Sequence, residues 1–238
     1  MSDAFLPRVH ILVLGGTITM MPSASEGIVP TLSGADLVGA VPALGGIARI
    51  SVETPFVVPG ASLEFEHLRQ GSERIRQVIT EGVAGVVVVQ GTDTIDETAF
   101  LLDLAHDAEA PLVVTGAMRG ADAPGADGPA NLKAAVTVAA AEAAAGMGTL
   151  VVLNDEIHAA RLVEKAHKAL PSAFASPSAG PLGAVIEEEV RLVLRPARLS
   201  SLGAMPEMAR VAIVKLGLGD DGALVKAAVQ CGYDGIVL

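Results

Sequence analysis

Val83-Ala84-Gly85-Val86-Val87-Val88-Val89 runs its whole length without a polar side chain. A strand with one face in water alternates apolar and polar residues. A run without alternation belongs to a strand covered on both faces, as in a parallel sheet layered between helices. Similar apolar runs recur at wide intervals, at residues 10–14, 47–52, 112–115 and 149–153. Segments of helical period lie between them. Residues 62–80 carry Leu68, Ile75, Val78 and Ile79 among charges, and residues 96–106 and 129–145 are rich in Ala and Leu. Strand alternating with helix predicts an α/β fold with right-handed crossovers.

After Leu153 the alternation stops. Residues 159–163, 183–186 and 190–194 read as short strands, with Glu187–Glu189 as an acidic turn tip facing solvent rather than a cation site. Residues 195–208 hold two prolines and two adjacent serines with little periodicity, which reads as a linker. A new strand–helix–strand pattern follows at 211–216, 221–230 and 235–238. The expected organisation is a large N-terminal three-layer domain with a mainly parallel sheet (1–194), a linker (195–209) and the start of a smaller α/β C-terminal domain (210–238).

Composition narrows the function. An apolar share of 51% over 238 residues can bury a sizeable core, which rules out intrinsic disorder. Lys+Arg number 16 against 27 Asp+Glu, a net charge of −11 that argues against a nucleic-acid partner. A single cysteine, Cys231, excludes a disulfide framework and a cysteine-based zinc site. The apolar run near the N-terminus is too short for a signal peptide, so a cytoplasmic location is expected. Residues 134–153 could mimic a membrane span, but Glu142, Gly146 and Gly148 break the stretch into helix, turn and strand.

In open parallel sheets, ligands sit beyond the carboxyl ends of the strands, near a reversal of strand order. The residues that follow each strand are therefore the candidates. They are Gly15-Gly16-Thr17-Ile18-Thr19, Gln90-Gly91-Thr92-Asp93-Thr94, Thr115-Gly116-Ala117-Met118-Arg119, and Asn154-Asp155-Glu156 followed by Arg161 and Lys165. The first turn lacks dinucleotide-type glycine spacing, and no phosphate-binding loop or zinc-protease signature occurs, so no cofactor and no metal are expected. What remains is threonine, aspartate and lysine. A threonine hydroxyl attacks well only when a neighbour takes its proton, and Thr92, Asp93 and Lys165 could form such a chain. Glycines beside Thr17 and Thr92 admit close substrate approach and offer N–H groups to a developing oxyanion. Either threonine could instead simply cap the helix that follows it.

These motifs together resemble the signature blocks of the bacterial-type L-asparaginases. Leu14-Gly15-Gly16-Thr17-Ile18 and Gln90-Gly91-Thr92-Asp93-Thr94 match the two threonine motifs. Thr115–Arg119, Ala126-Asp127-Gly128-Pro129-Ala130-Asn131-Leu132 and Leu153-Asn154-Asp155-Glu156-Ile157 match further blocks in the same order. The resemblance covers roughly residues 9–186, and Gly232–Val237 is similar to the early part of the family's C-terminal domain. It implies hydrolysis of L-asparagine, and of L-glutamine less readily, to the acid and ammonia without a cofactor. It implies Thr17 as the attacking group and Thr92, Asp93 and Lys165 as a second triad. It further implies Asp93 as a holder of the substrate's α-amino group, Ser62 at the α-carboxylate, Gly91 and Thr92 beside the substrate, and Ala117 offering backbone contacts to the side-chain amide. The family is built of intimate dimers, often paired, so a homodimer or homotetramer is expected.

Three departures from the pattern bear on rate. The loop at 20–30 lacks the family's tyrosine, leaving Ser25 or Glu26 to replace it, or Thr17 poorly activated. Gln90 stands where a histidine sometimes precedes the second motif. Family members usually run longer, so groups that the family takes from a neighbouring subunit's C-terminal domain are expected to be missing. A slow amidohydrolase is the leading expectation. The alternatives are a hydrolase of a different amide, such as the amidase subunit of an amidotransferase, and a non-catalytic relative that binds aspartate or asparagine.

Overall fold

The computed structural model describes residues 6–23, 27–30 and 32–238; Ser25 and Glu26, the candidates to replace the loop tyrosine, lie outside the described residues. The chain divides into two units, Met1–Ala204 and Met205–Leu238.

The first unit opens with β1 (Arg8–Val13), a 3-10 turn at Thr17–Thr19, and the antiparallel pair β2 (Met20–Ser23) and β3 (Gly27–Pro30). Helix α1 (Gly34–Gly39) leads to β4 (Arg49–Glu53), α2 (Phe65–Thr80) to β5 (Gly85–Val89), and α3 (Ile95–Ala105) to β6 (Leu112–Thr115). Helix α4 (Gly128–Ala140) and β7 (Thr149–Leu153) complete the alternating part. Strands β8 (Glu156–Ala159), β9 (Glu164–Lys165), β10 (Phe174–Ala175), β11 (Gly183–Ile186) and β12 (Glu189–Leu192) follow.

One sheet of eight strands runs in the order β12-β11-β8-β7-β6-β5-β1-β4. From β7 to β4 every pairing is parallel; β8, β11 and β12 add antiparallel at the far side. As the unbroken apolar run requires, all of β5 is buried. On one face Val9, Ile11, Val13, Val87, Val89 and Val113 pack with Leu37 of α1 and with Leu132, Ala135, Val136 and Ala139 of α4. On the other, α2 and α3 lie against β5, β6 and β7. Gly71 of α2 comes close enough to Leu12 that an added methyl would sit 3.7 Å from it. The unit is thus the three-layer, mainly parallel α/β domain that the alternation implied.

The chain passes from β1 to β4 on one side, then crosses to β5 on the other side of β1. The strand order therefore reverses between β1 and β5, and the crevice at their carboxyl ends is the topological switch point. The turns holding Thr17 and Thr92 follow those two strands.

Several boundaries differ from expectation. Residues 160–163 are not a strand: the N–H groups of Leu162 and Val163 both return to the Ala159 carbonyl, at 3.0 and 3.2 Å, which closes a turn. Strand β4 begins at Arg49 because Ile47 and Ala48 are tied to the Leu44 carbonyl in a 3-10 turn. Helix α4 stops at Ala140, and Gly146 and Gly148 take positive φ on the way into β7. In the acidic turn, Glu187 and Glu188 sit at φ 51° and 68°, and Glu188 pairs with Lys133. No group of three or more His, Cys, Asp or Glu is placed to hold a metal among the described residues.

Residues 195–204 are tied to the first unit by hydrogen bonds. Arg198 donates to the carbonyls of Ala108, at 2.9 Å, and His106, while the Leu202 N–H reaches the Leu104 carbonyl at 2.7 Å. The second unit holds β13 (Val211–Ile213), α5 (Ala223–Gln230) and β14 (Gly235–Val237), with β13 and β14 paired in parallel as a single strand–helix–strand unit. Among the described residues no helix is long and apolar enough to cross a membrane.

Candidate active site

Three glycines bring the site's turns together. Gly16, at φ 94°, lies so close to the next turn that a Cβ there would fall 2.1 Å from the Gly91 nitrogen. A Cβ on Gly91 would fall 2.5 Å from the Gly60 nitrogen, and one on Gly60 would fall 2.8 Å from the Gly91 carbonyl. The backbones before Thr17, before Thr92 and at the Gly60–Ser62 turn thus touch with no side chain between them. Only glycine permits such an approach, and at Gly16 only glycine takes that φ without strain.

The Gly60–Ser62 and Thr92–Thr94 turns are further stitched by a side-chain relay. Thr94 Oγ1 donates to the Gly60 carbonyl at 3.1 Å and accepts from Gln90 Nε2 at 3.2 Å. A hydroxyl has one proton, so with that proton on Gly60 the Gln90 amide must point its NH2 at Thr94. Gln90 Oε1 is then left buried with no partner among the described residues.

Lys165 sits on β9, opposite Phe174 of β10. Its Nζ donates to Thr92 Oγ1 at 2.8 Å and to Asp93 Oδ1 at 2.7 Å. Its backbone N–H reaches Asp96 Oδ2 at 3.3 Å, tying the short hairpin to the first turn of α3. Thr92 is buried, the Lys165 side chain is 12% exposed, and Asp93 is 70% exposed. A hydroxyl and a carboxylate therefore share one ammonium just beyond the carboxyl end of β5.

The turn after β6 lies beside this cluster: a Cβ on Gly116 would sit 3.3 Å from Thr92 Cγ2. Ala117 is buried directly after it. Ser62 is exposed on the turn that packs against Gly91, and Thr17 is half-buried on the turn whose Gly16 packs there too. Thr92, Asp93 and Lys165 are thus joined by hydrogen bonds, whereas Thr17, Ser62, Gly91 and Ala117 reach the site through the turns that carry them. Asn154 and Asp155 form the tight β7–β8 connection at φ 50° and 61°, and Arg161 donates to the Ala197 carbonyl. Asp127 and Asn131 received no role from the sequence. Asp127 is nevertheless the N-cap residue of α4, and an aspartate just before a Gly-Pro helix start is the signal that could have singled it out.

Fold and site define a doubly covered α/β protein whose threonine, lysine and carboxylate groups meet at the switch point of a parallel sheet. The family model described as asparaginase, N-terminal, matches residues 8–198. L-asparaginase 2 of Bacillus subtilis (strain 168) is 36% identical over 246 aligned residues, covering 98% of this chain. Probable L-asparaginase 4 of Schizosaccharomyces pombe is 35% identical, covering 99% of this chain and 69% of its own length. The crystal structure of a probable cytoplasmic L-asparaginase from Campylobacter jejuni superposes with a TM-score of 0.88 at 31% identity, over 97% of this chain and 73% of that one. The chain belongs to the asparaginase family. It spans 64% of the length of the Bacillus subtilis relative.

Proposed function

We propose that the chain hydrolyses L-asparagine, and L-glutamine more slowly, to the corresponding acid and ammonia. The observation that carries this reading is the pair of hydrogen bonds from Lys165 Nζ to Thr92 Oγ1 and Asp93 Oδ1, at 2.8 and 2.7 Å. Fixing a long lysine side chain costs about 1.5–2 kcal/mol of rotamer entropy. An ion pair as open as Asp93–Lys165 returns only about 0–1 kcal/mol to stability. Folding alone gives little reason for the cluster, and chemistry at the switch point gives a good one.

In this reading Thr17 Oγ1 adds to the amide carbon while the oxyanion is held by N–H groups of the Gly91–Thr92 turn. Lys165 gives a proton to the departing nitrogen, which leaves as ammonia, and the threonine proton, passed on through Thr92, restores the ammonium. Water then cleaves the resulting ester, releasing the acid and restoring the Thr17 hydroxyl. Asp93 holds the substrate's α-amino group, Ser62 its α-carboxylate, and the backbone of Ala117 its side-chain amide. No cofactor enters these steps. The names of the relatives support this reading over a binding-only relative or a hydrolase of a different amide.

Ammonia release from L-asparagine and L-glutamine tests the reading, with the parent chain beside Thr17→Ala and Thr92→Val. Loss of turnover in both, with unchanged thermal unfolding, is the expected result. Retained turnover in Thr92→Val would remove that hydroxyl from the mechanism. A parent chain that binds aspartate calorimetrically without releasing ammonia would turn the reading to a binding protein.

The same proposal includes a cytoplasmic enzyme working as a homodimer or homotetramer. Exposed Ile213, Leu224 and Val229 in the second unit support an apolar contact with another chain. Light scattering that returns a clean monomer would overturn the assembly.

A further inference from the structure

The turn after β6 is held from one side by Asp127, the N-cap residue of α4, and by Asn131 at the start of that helix. Asp127 Oδ2 accepts the N–H of Met118 at 2.9 Å, and Oδ1 accepts the N–H of Arg119 at 2.9 Å. Asn131, one helical turn on and 2% exposed, donates from Nδ2 to the Gly116 carbonyl at 2.9 Å and to Asp127 Oδ2 at 3.0 Å. Its Oδ1 accepts the N–H of Asn154 at 2.9 Å, which anchors it to the end of β7. The backbone is therefore fixed at Gly116 before Ala117 and at Met118 and Arg119 after it. The N–H and C=O of Ala117 itself, in a residue 1% exposed, have no partner among the described residues.

Buried backbone groups without a partner are rare, and pairing them is the default. Here side chains take the Gly116 carbonyl and the N–H groups of Met118 and Arg119, and leave the N–H and carbonyl of Ala117 open between them, next to the Gly116 that lies against Thr92. We infer that Asp127 and Asn131 are positioning residues that hold the Ala117 backbone in register for an incoming carboxamide. The inference rests on the amidohydrolase reading for the identity of that carboxamide. The chemistry is specific. A carbonyl held in place accepts from the amide NH2 of the substrate, which an ester or a carboxylate cannot supply. Asp127 also occupies the Met118 and Arg119 N–H groups, so those two donors are closed to the substrate and the amide is read at Ala117 alone. A displacement of the order of 1 Å in such a group costs about a hundredfold in rate.

Two substitutions separate positioning from bulk stability. In Asp127→Asn one carboxylate oxygen becomes an NH2 that must face a backbone N–H, in a half-buried side chain that tolerates the change of charge. In Asn131→Asp the donor to Gly116 is lost beside an existing carboxylate. Each variant is compared with the parent on L-asparagine and on the β-methyl ester of L-aspartate, with thermal unfolding measured alongside. The expected result is an about ten- to hundredfold loss on the amide in both variants, with ester turnover near the parental value. Amide and ester falling in equal proportion, or neither falling, would overturn the inference, because a merely structural role weakens both alike. If the parent hydrolyses neither compound, the amidohydrolase reading fails on its own. Calorimetry with L-asparagine and L-aspartate then decides the positioning role. A selective loss of asparagine affinity in the variants sustains it, and equal losses end it.

Discussion

At Gly16 two demands fall on one residue: a backbone at φ 94°, and a space that leaves 2.1 Å between an added Cβ and the Gly91 nitrogen. The first costs a non-glycine residue about 1–3 kcal/mol, and forced overpacking adds about 1–3 kcal/mol. Gly16→Ala should therefore lower stability by about 2–6 kcal/mol in denaturant unfolding and abolish ammonia release in whatever folded fraction remains. Gly39, with open space where its Cβ would go, is the control, and Gly39→Ala should be neutral to stabilising by up to about 1 kcal/mol. A Gly16→Ala chain as stable and active as its parent would show that the two threonine turns do not need to touch. The sequence displayed glycines beside both threonines but not that they pack against each other, because Gly16, Gly60 and Gly91 are far apart along the chain. It also displayed Thr92, Asp93 and Lys165 as a candidate chain, since hydroxyl, acid and amine at strand ends carry their chemistry in their names. Asp127 and Asn131 were harder to find. A side chain that fixes another turn's backbone looks, in a sequence, like any helix cap.

Elements that bury both faces were legible almost to the residue. β6 and β7 fall where their apolar runs do, because nothing but a covered strand accounts for four or five consecutive buried aliphatic or threonine positions. α2 was legible for the opposite reason: Leu68, Ile75 and Val78 are buried on one side while Glu66, Arg69 and Glu73 pair in the solvent. What escaped was short or closed by local hydrogen bonds. α1 has six residues, too few to show a period, and its start is fixed by a reciprocal cap between Ser33 and Asp36. The strand expected at 159–163 had the right composition, yet two N–H groups turning back to Ala159 outweigh it. The two-residue strand β9 could not be read at all, although it is the element that delivers Lys165 to Thr92. Its position depends on pairing with β10, whose next residue, Ser176, is hydrogen-bonded to the buried His158 of β8 at 3.0 Å. The site's amine is thus placed by contacts that only the folded sheet creates.

For the molecule as a whole, three imidazoles tie stability to pH. His10, His106 and His158 are 2%, 6% and 1% exposed, and in each the loss of hydration disfavours the charged form and holds the pKa below the ordinary 6.5. Neighbours modify this without reversing it. Glu53 and Glu81 pull His10 upward and Arg74 pushes it down; Glu156 pulls His158 upward. For His106 the Ala110 carbonyl, 2.8 Å from Nε2, pulls upward and Arg198 pushes down. As pH falls through 6.5 the unfolded chain takes up protons that the folded chain still refuses, so stability declines until the folded-state values are passed. Glu53 acts at lower pH and in the same direction. The hydrogen bond from Arg74 holds its carboxyl below the ordinary 4.5, so its contribution is present above that value and lost as pH falls through the depressed one. The unfolding temperature should accordingly fall as the pH drops below about 6.5; burial raises the Glu97 carboxyl above its ordinary 4.5, which opposes the fall only at the acid end. His106→Gln, whose amide can still donate to the Ala110 carbonyl, should flatten that first part of the curve and leave the acid limb in place. Thermal melts across this range decide the matter. An unfolding temperature that stays level or rises between pH 7 and pH 5.5 would mean that the imidazoles are charged inside the fold, and the buried pairings of all three would then have to be reassigned.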